Sequence, residues 1–525
     1  MDTKALRQKI LDLAIRGKLV PQNPNDEPAS VLLERIRAEK QQMVKDGKLK
    51  AKDIKNDTVI FLGDDNLHYE KFPDGTVKCI EDEIPFELPE GWEWTRLQAI
   101  CEPITDGTHK TPTYSDEGFI FLSSKNVTSG HIDWDNIMYI PESLHNELYA
   151  RLAPQKNDIL LAKNGTTGVA AIVDRDCIFD IYVSLALLRI IGYIISPEYL
   201  LSTIASSTIQ NYFNSSLKGI GVPNLHLEHI RTTLIPVAPI NEQYRIATKL
   251  EQLLSFADNI ESDKTDLQTT IQLTKSKILD LAIRGKLVPQ NPDDEPANVL
   301  LDRIRAEKEG LIKQGKIKRD KKESVIFKGD DNSYYEKIGD TVTCIDEELP
   351  FELPDGWIWC RGSSCFLTME SRKPSGTYFK YIDIDSIDNK HQAIKEAKIT
   401  ETAKAPSRAN RAVFDGSILF SLVRPYLKNI ALVDSNNADS IASTGFYIAT
   451  SNGTFIPKYL YILMISAYVV NGLNQFMKGD NSPSISKDNI GKWLYPVPPL
   501  AEQEKIANIV QKYNRILEDI EKSLS

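Results

Sequence analysis

The stretch ILDLAIRGKLVPQNP occupies Ile10–Pro24, and the same fifteen residues return at Ile278–Pro292 of a 525-residue chain. The match does not stop there. NDEPASVLLERIRAEK (Asn25–Lys40) returns as DDEPANVLLDRIRAEK (Asp293–Lys308), and GDDNLHYEK (Gly63–Lys71) as GDDNSYYEK (Gly329–Lys337). PFELPEGWEW (Pro85–Trp94) returns as PFELPDGWIW (Pro350–Trp359), and PVAPINEQYRIA (Pro236–Ala247) as PVPPLAEQEKIA (Pro496–Ala507). A near-identical frame therefore encloses a divergent insert of about 140 residues, twice. The reading is a tandem duplication: frame at 1–91, first insert at 92–239, central frame at 240–356, second insert at 357–499 and a C-terminal half helix at 500–525.

The inserts share a scaffold. NDILLAKNGTTGVAAIVD (Asn157–Asp174) and GSILFSLVRPYLKNIALVD (Gly416–Asp434) each read as apolar strand, polar loop, apolar strand. Ser196–Leu225 and Ile456–Ile485 each give a helical stretch followed by a Lys-Gly loop. Similar cores with different loops suit two domains doing one job on two targets.

Beyond Pro239, apolar residues fall at Ile246, Leu250, Leu253, Ala257, Ile260, Leu267, Ile271, Ile278 and Leu281, with Lys264 and Thr274 in phase. Steps of four and three predict one long helix with a coiled-coil seam of about five heptads, roughly 60 Å long. Its second copy starts near Glu502 and carries Ile506, Val510, Tyr513, Leu517, Ile520 and Leu524; the seam resumes at Leu6, Ile10 and Leu13. The second helix is expected in two pieces that meet in space, closing a pseudo-two-fold molecule; a linear array is the alternative. Shorter amphipathic helices are expected after Pro28 (Val31, Leu32, Ile36, Met43) and Pro296 (Val299, Leu300, Ile304). They have two possible roles, packing on the seam or facing a partner protein. The expected class is α+β, two globular domains separated by long helices.

Composition is ordinary for a globular protein, with 41% hydrophobic and 26% charged residues. No run of eighteen apolar residues occurs and MDTKALRQKI has no apolar signal core, so a cytoplasmic protein without membrane contact is expected. Cys79, Cys101, Cys177, Cys344, Cys360 and Cys365 show no CxxC spacing, so neither disulfides nor zinc are expected. A phosphate loop needs a Lys that Gly165-Thr-Thr-Gly168 lacks; that segment reads as a turn. No HExxH, GxSxG or cofactor fingerprint is present. Asp64-Asp65 and Asp330-Asp331 read as solvated turn acids. Nothing recommends an enzyme.

The phrases LDLAIRGKLVPQ, ELPEGWEW and PVPPLAEQEKIA, in two copies around divergent inserts, resemble the specificity subunit of type I restriction–modification systems. DGTHKTPTYSDEGFIFLSSKNVTSG (Asp106–Gly130), YIDIDSIDN (Tyr381–Asn389) and STGFYIAT (Ser443–Thr450) look like that family's target recognition domains. The resemblance spans essentially the whole chain. It implies that each recognition domain reads one half of a bipartite site in double-stranded DNA, and that a pair of antiparallel helices sets their separation. It also implies a non-catalytic subunit that assembles with two methyltransferase subunits and with restriction (helicase–nuclease) subunits. S-adenosylmethionine, ATP and Mg would belong to those partners, with no cofactor in this chain. The duplicated phrase would then serve two similar partners. The rival is a helical scaffold holding two protein- or ligand-binding domains; loops that diverge on a shared core favour the first reading.

A formal net charge of −10 opposes nucleic-acid binding, but phosphate contacts need local cations. The first insert (Thr95–Pro239) has ten Lys/Arg against fourteen Asp/Glu, the second (Cys360–Pro499) sixteen against eleven. Candidate DNA-binding residues lie in polar loops. In the first domain they are Lys110, Thr111, Thr113, Lys125, Asn126, Lys163, Asn164, Thr166, Lys218 and Asn224. In the second they are Arg372, Lys373, Arg408, Arg411, Arg424, Tyr426, Lys428, Lys478, Asn481 and Ser484. Lys163 aligns with Arg424, and Lys218 with Lys478. Asn126 and Asn164 suit adenine, Arg424 suits guanine, and Tyr426 suits stacking or a thymine methyl.

Overall fold

The computed structural model describes residues 2–127, 130–217, 223–317 and 323–524. The chain forms two compact units, 1–263 and 264–525. In the first, helix Thr3–Ile15 is capped by the Asp2 carboxylate, which accepts from the Ala5 amide at 3.0 Å. Helix Ala29–Lys45 follows, then a three-stranded antiparallel sheet of Val59–Leu62, His68–Lys71 and Val77–Cys79. Strand Glu93–Arg96 pairs with Leu234–Val237, so the insert enters and leaves through one two-stranded ribbon. Between them lie a four-stranded sheet (Thr105–Asp106, Leu185–Leu188, Ile159–Ala162, Ala170–Ile172) and a three-stranded one (Phe179–Ile181, Phe119–Leu122, Met138–Ile140). Ile159–Ala162 and Leu185–Leu188 are buried on both faces, which is why their runs are continuously apolar rather than alternating.

The second unit repeats this order. Helix Ala297–Lys313 precedes the sheet Ser324–Lys328, Tyr334–Ile338 and Thr341–Cys344, and Ile358–Arg361 pairs with Leu494–Val497. Its insert carries Lys398–Glu401, Tyr378–Ile382, Ile441–Ser443 and Ala409–Ala412 in one sheet, and Ile430–Leu432, Ile418–Ser421 and Phe446–Ala449 in another. In each insert one strand pair is parallel, Phe179–Ile181 with Phe119–Leu122 and Ile441–Ser443 with Tyr378–Ile382.

A buried clamp joins the three copied phrases in each unit. The Glu242 carboxylate accepts from Trp92 Nε1 at 3.1 Å and Gln22 Nε2 at 3.2 Å. In the second unit Glu502 accepts from Trp357 at 2.9 Å and Gln290 at 3.1 Å. Gly17 (φ +63°) and Gly285 (φ +66°) lie so close to Pro89 and Pro354 that a Cβ would come within 2.4 Å of each ring, so only glycine fits the turn. The adjacent Gln243 accepts from the Ser196 amide, and Gln503 from that of Ile456, both at 2.9 Å. Burial raises the carboxyl of Glu242, and the Trp92 and Gln22 hydrogen bonds oppose that shift only in part.

A second shared device is an arginine between two acids. Arg96 Nη2 meets Glu70 at 2.7 Å and Glu83 at 2.8 Å; Arg361 Nη2 meets Glu336 at 2.9 Å and Glu348 at 2.8 Å. These triads lie at the floor of open grooves of about 1010 and 1040 Å³. Burial works against ionisation of Glu70, but hydrogen bonds from Arg96 and Thr58 and the Arg96 charge outweigh it and hold the carboxyl below its usual 4.5.

The long helix is continuous from Ile240 to Ile283, 44 residues and roughly 66 Å at 1.5 Å each. In the first unit Ile246 and Leu250 pack with Ile10, Leu11 and Ala14 of the N-terminal helix, and Arg7 pairs with Asp258 and Glu261. In the second, Ile278 and Ala282 pack with Ile506, Ala507 and Val510 of helix Leu500–Leu524, and Lys275 pairs with Glu521 at 2.7 Å. Within each unit the helices run antiparallel, since Gln22 and Gln290, beyond the far end of each ion pair, meet Glu242 and Glu502. Leu267, expected in the seam, is 41% exposed: it lies beyond the turn at which Lys275 meets Glu521, near the end of the partner helix. The expected apolar faces of the shorter helices divide: Leu32, Ile36 and Leu300 are buried, Met43 and Ile304 half-buried, and Val31 and Val299 exposed. Asp65 and Asp331 accept from the Tyr69 and Tyr335 hydroxyls at 2.8 and 2.7 Å and from backbone amides two residues on, as turn acids. Among the described residues no helix is long and apolar enough to cross a membrane.

Replacing Arg96 with Ala leaves Glu70 buried without its counter-charge, and the first unit should lose roughly 3–5 kcal/mol in urea unfolding at pH 7. Because the folded Glu70 carboxyl is held below 4.5, its stabilisation is complete above that pH and is lost as pH falls through the lower, folded value. The difference between wild type and Arg96→Ala should therefore shrink on acidification; a constant difference would show that Arg96 acts by packing alone.

Candidate nucleic-acid interface

The sheets of each insert end in loops that gather along one rim. In the first unit the Lys163 amide donates to Ser184 O at 2.8 Å and the Leu225 amide to Lys163 O at 2.9 Å. The Tyr182 amide donates to Leu122 O (2.9 Å), that of Val183 to Thr108 O (3.0 Å), and that of Ser124 to Ser184 Oγ (3.0 Å). Segments around 106–113, 122–127, 163–168, 182–184 and 224 are thereby held together. Lys110, Thr111, Thr113, Lys125 and Thr166 are exposed on this rim. Asn164 and Asn224 face each other across an isolated antiparallel bridge, and among the described residues the buried carboxamide oxygen of each has no hydrogen-bond partner. Those two oxygens are unspent acceptors beside an exposed loop.

Two expectations need correction. Lys163 is not a free loop cation: its side chain is 7% exposed and its ammonium pairs with the buried Asp106 carboxylate. Asn126 is likewise buried and occupied. Its oxygen accepts from the Ser123 amide at 2.9 Å, and its Nδ2 donates to Asp133 O and Asn136 O. Both follow strand ends so closely that the chain turns them inward to brace the loops. Lys218 lies outside the described residues, so its alignment with Lys478 has no structural counterpart here.

In the second unit the Arg424 amide donates to Pro483 O and its Nη2 to Asn481 O, both at 2.8 Å. Lys478 and Ser484 exchange backbone hydrogen bonds of 3.0 Å. The Leu422 amide donates to Gly445 O and that of Thr444 to Arg408 O, both at 2.8 Å. Arg408, Arg424, Tyr426, Lys428, Lys478, Asn481 and Ser484 thus belong to three loops tied together by backbone, and all but the half-buried Ser484 are exposed. Arg411 is not among them; half-buried, it faces the groove that Glu336 and Arg361 line. Arg372 lies 5.6 Å over the Phe414 ring, beside exposed Lys373.

The structure also shifts the alignment of the two rims. The Leu225 amide meets Lys163 O, and the Ile485 amide meets Leu422 O; Asn164 bridges Asn224, and Val423 bridges Ser484. Lys163 therefore corresponds to Leu422, and Arg424 to Gly165. Backbone angles agree, with φ +81° at Gly165 and +47° at Arg424. Sequence reasoning missed Thr108, Ser124 and Ser184, which join the first rim. Gly107 was the available signal: a Cβ there would come within 1.9 Å of Ile181 O, so the DGT turn lies flat on a strand. Among the described residues no three His, Cys, Asp or Glu side chains converge as a metal site.

Comparison with known proteins gives this rim its context. The family profile described as the type I restriction modification DNA specificity domain matches residues 89–268 and again 364–525. The chain belongs to that family. It is 28% identical to the specificity subunit of the type I restriction enzyme EcoAI of Escherichia coli, over 98% of this chain and 90% of that protein. It is 27% identical to the EcoEI specificity subunit of Escherichia coli, over 99% and 90%. One solved structure, from a study of complex assembly and conformational transition in the type I R-M system, shares the fold with a TM-score of 0.55. It is 18% identical, and the match covers 84% of this chain and 94% of that one.

The buried ion pair yields a test of its own. Lys163→Ala strands Asp106 and should destabilise the first unit by roughly 3–5 kcal/mol. Lys110→Ala, at an exposed loop position, should leave unfolding unchanged within about 0.5 kcal/mol. Equal stability of wild type and Lys163→Ala in thermal and urea unfolding would contradict the bracing role.

Proposed function

We propose that this chain is the sequence-specific DNA-recognition subunit of a type I restriction–modification complex, each insert reading one half of a bipartite site in double-stranded DNA. The observation that carries this is the pair of equivalent loop rims, divergent in their polar residues, on one repeated frame in a chain of the specificity family. A scaffold for small ligands or proteins is not favoured, since the divergence lies in cation- and amide-bearing loops.

In this reading the chain catalyses nothing. Adenine methylation from S-adenosylmethionine, and ATP- and Mg-dependent cleavage, belong to two methyltransferase subunits and to restriction subunits in the cytoplasm. The repeated frame docks the methyltransferase subunits, and the exposed Val31 and Val299, at matching places on matching helices, fit two copies of one partner. The long helix acts as the ruler between half-sites. Within each unit it pairs with a terminal helix, which supports its part in a helical pair.

Selection from a randomised DNA pool by the complex should return two short fixed sequences separated by an unspecified spacer. Arg424→Ala should relax one of them only, at a cost of about 1–3 kcal/mol, whereas Lys110→Ala should weaken all sequences equally and lower the salt slope by about 1. Uniform weakening by Arg424→Ala would make it a phosphate contact.

Deleting one heptad, Ile260–Asp266, together with the matching heptad of the paired helices, shortens the ruler by roughly 10 Å. The selected spacer should then shrink by about three base pairs, at 3.4 Å each, with both half-sites unchanged. Those pairs also turn the half-sites by roughly 100°, so activity can fall; the spacer returned by selection is the readout. Recovery of the original spacer by a folded double-deletion protein would show that the helices do not measure it.

A further inference from the structure

The turn at Arg424–Lys428 departs from its counterpart in a way the repeat makes visible. In the first unit the loop after strand Ile159–Ala162 takes its two left-handed positions at Gly165 (φ +81°) and Gly168 (φ +89°). The second unit's loop is one residue longer, and it puts Arg424 (φ +47°) and Lys428 (φ +53°) at its two left-handed positions. Side-chain-bearing residues seldom adopt this conformation, and glycine would relieve it at both. Strain kept where a simpler residue fits points to a use.

What the two cations bracket is Pro425-Tyr426-Leu427. Pro425 and the following Asn429 are buried, so the back of the turn is anchored. Tyr426 and Leu427 point outward, 46% and 40% exposed. Arg424 and Lys428 flank this apolar tip, and the loops tied to the turn by backbone carry Arg408 and Lys478, all four exposed, with Asp480 the acid of the 478–484 loop. Neither Arg424 nor Lys428 forms an ion pair among the described residues. In the first unit the corresponding turn, one residue shorter, reads Gly165-Thr166-Thr167-Gly168, with no apolar tip.

We infer that the Arg424–Lys428 turn is a wedge: Leu427 and Tyr426 enter between neighbouring base pairs of the second half-site and open that step. An anchored apolar tip flanked by two exposed cations matches a polyanion whose interior is a stack of apolar faces. Apolar side chains inserted in this manner unstack and kink DNA in other binding proteins. Lys428 then holds a flanking phosphate, and Arg424 reaches a base edge beside the opened step. The first half-site, read by a turn of Gly and Thr, stays stacked. This rests on the DNA-recognition reading above, and failure of pool selection to return a site would defeat that reading before this one.

The test uses the full-length chain assembled with its modification subunits and the duplex returned by selection. 2-Aminopurine is placed at successive positions through both half-sites, and fluorescence is read on binding. The expected result is a rise at one step of the second half-site that Leu427→Ala removes and Leu427→Met retains. Tyr426→Ala should lower affinity for that duplex by about tenfold, in the range set by loss of one stacked base. Both side chains are exposed, so thermal unfolding should match wild type. A rise that survives Leu427→Ala comes from the modification subunits acting on their target base, and with no other rise in that half-site it overturns the wedge. So does wild-type binding with no rise there, or affinity loss in Leu427→Ala without a change in stacking. Equal kinking of both half-sites, measured by energy transfer between the duplex ends and its centre, would also overturn it.

Discussion

Everything in each unit hangs on a buried carboxylate with two donors. Glu242 sits in the first turn of the long helix, Gln22 just beyond the N-terminal helix, and Trp92 at the mouth of the insert. Removing a carboxylate from water is costly unless its oxygens are satisfied. The indole and carboxamide supply that, and their geometry fixes three chain segments at once. Glu502, Gln290 and Trp357 do the same in the second unit. The need for all three partners explains why LAIRGKLVPQ, the Gly-Trp phrase and the Pro-x-x-Glu-Gln-type phrase are copied together while the inserts drift. It also sets the pH behaviour. Burial raises Glu242, so its protonation on acidification favours the folded state, whereas protonation of the Arg96-bound Glu70, which is held low, costs stability.

From that clamp the order of construction follows outward. The two-stranded ribbon Glu93–Arg96/Leu234–Val237 closes the insert, buried apolar strands fill it, and the strand ends deliver loops to the rim. Loop polar groups can then change without touching the core, because Ile159–Ala162 and Ile418–Ser421 are buried throughout. A left-handed residue just past the strand is the device that turns each loop back. It accepts glycine in one unit and arginine in the other, so the turning position is shared while the length and chemistry of the tip differ.

Much of this was legible in the sequence, for identifiable reasons. The duplicated phrases are long and near-identical, so the frame was found by comparing the chain with itself. The long helix declared itself through a seam sustained from Ile246 to Leu281, and continuous apolar runs gave the insert strands. What failed was the reading of single polar residues. Lys163 follows a strand and precedes Asn-Gly-Thr-Thr, as an exposed cation would; only the fold brings Asp106 against it from far upstream. Asn126 looked like a base-reading amide, yet three short-range hydrogen bonds consume it. The slip between Lys163 and Arg424 arose because similarity in letters aligned the cations, whereas the bridges to Asn224 and Ser484 align Arg424 with Gly165.

That slip changes the electrostatics of the two rims. With Lys163 neutralised by Asp106, the exposed candidate cations of the first rim are Lys110 and Lys125, in an insert with ten basic and fourteen acidic residues. The second rim keeps Arg408, Arg424, Lys428 and Lys478 exposed in an insert with sixteen and eleven. Each phosphate neutralised contributes separately to affinity and to its salt dependence. On the proposed reading the two half-sites are therefore held differently. The second domain can grip DNA with its own loops. The first, on that reading, relies more on neutral loop groups such as the exposed Thr111, Thr113 and Thr166.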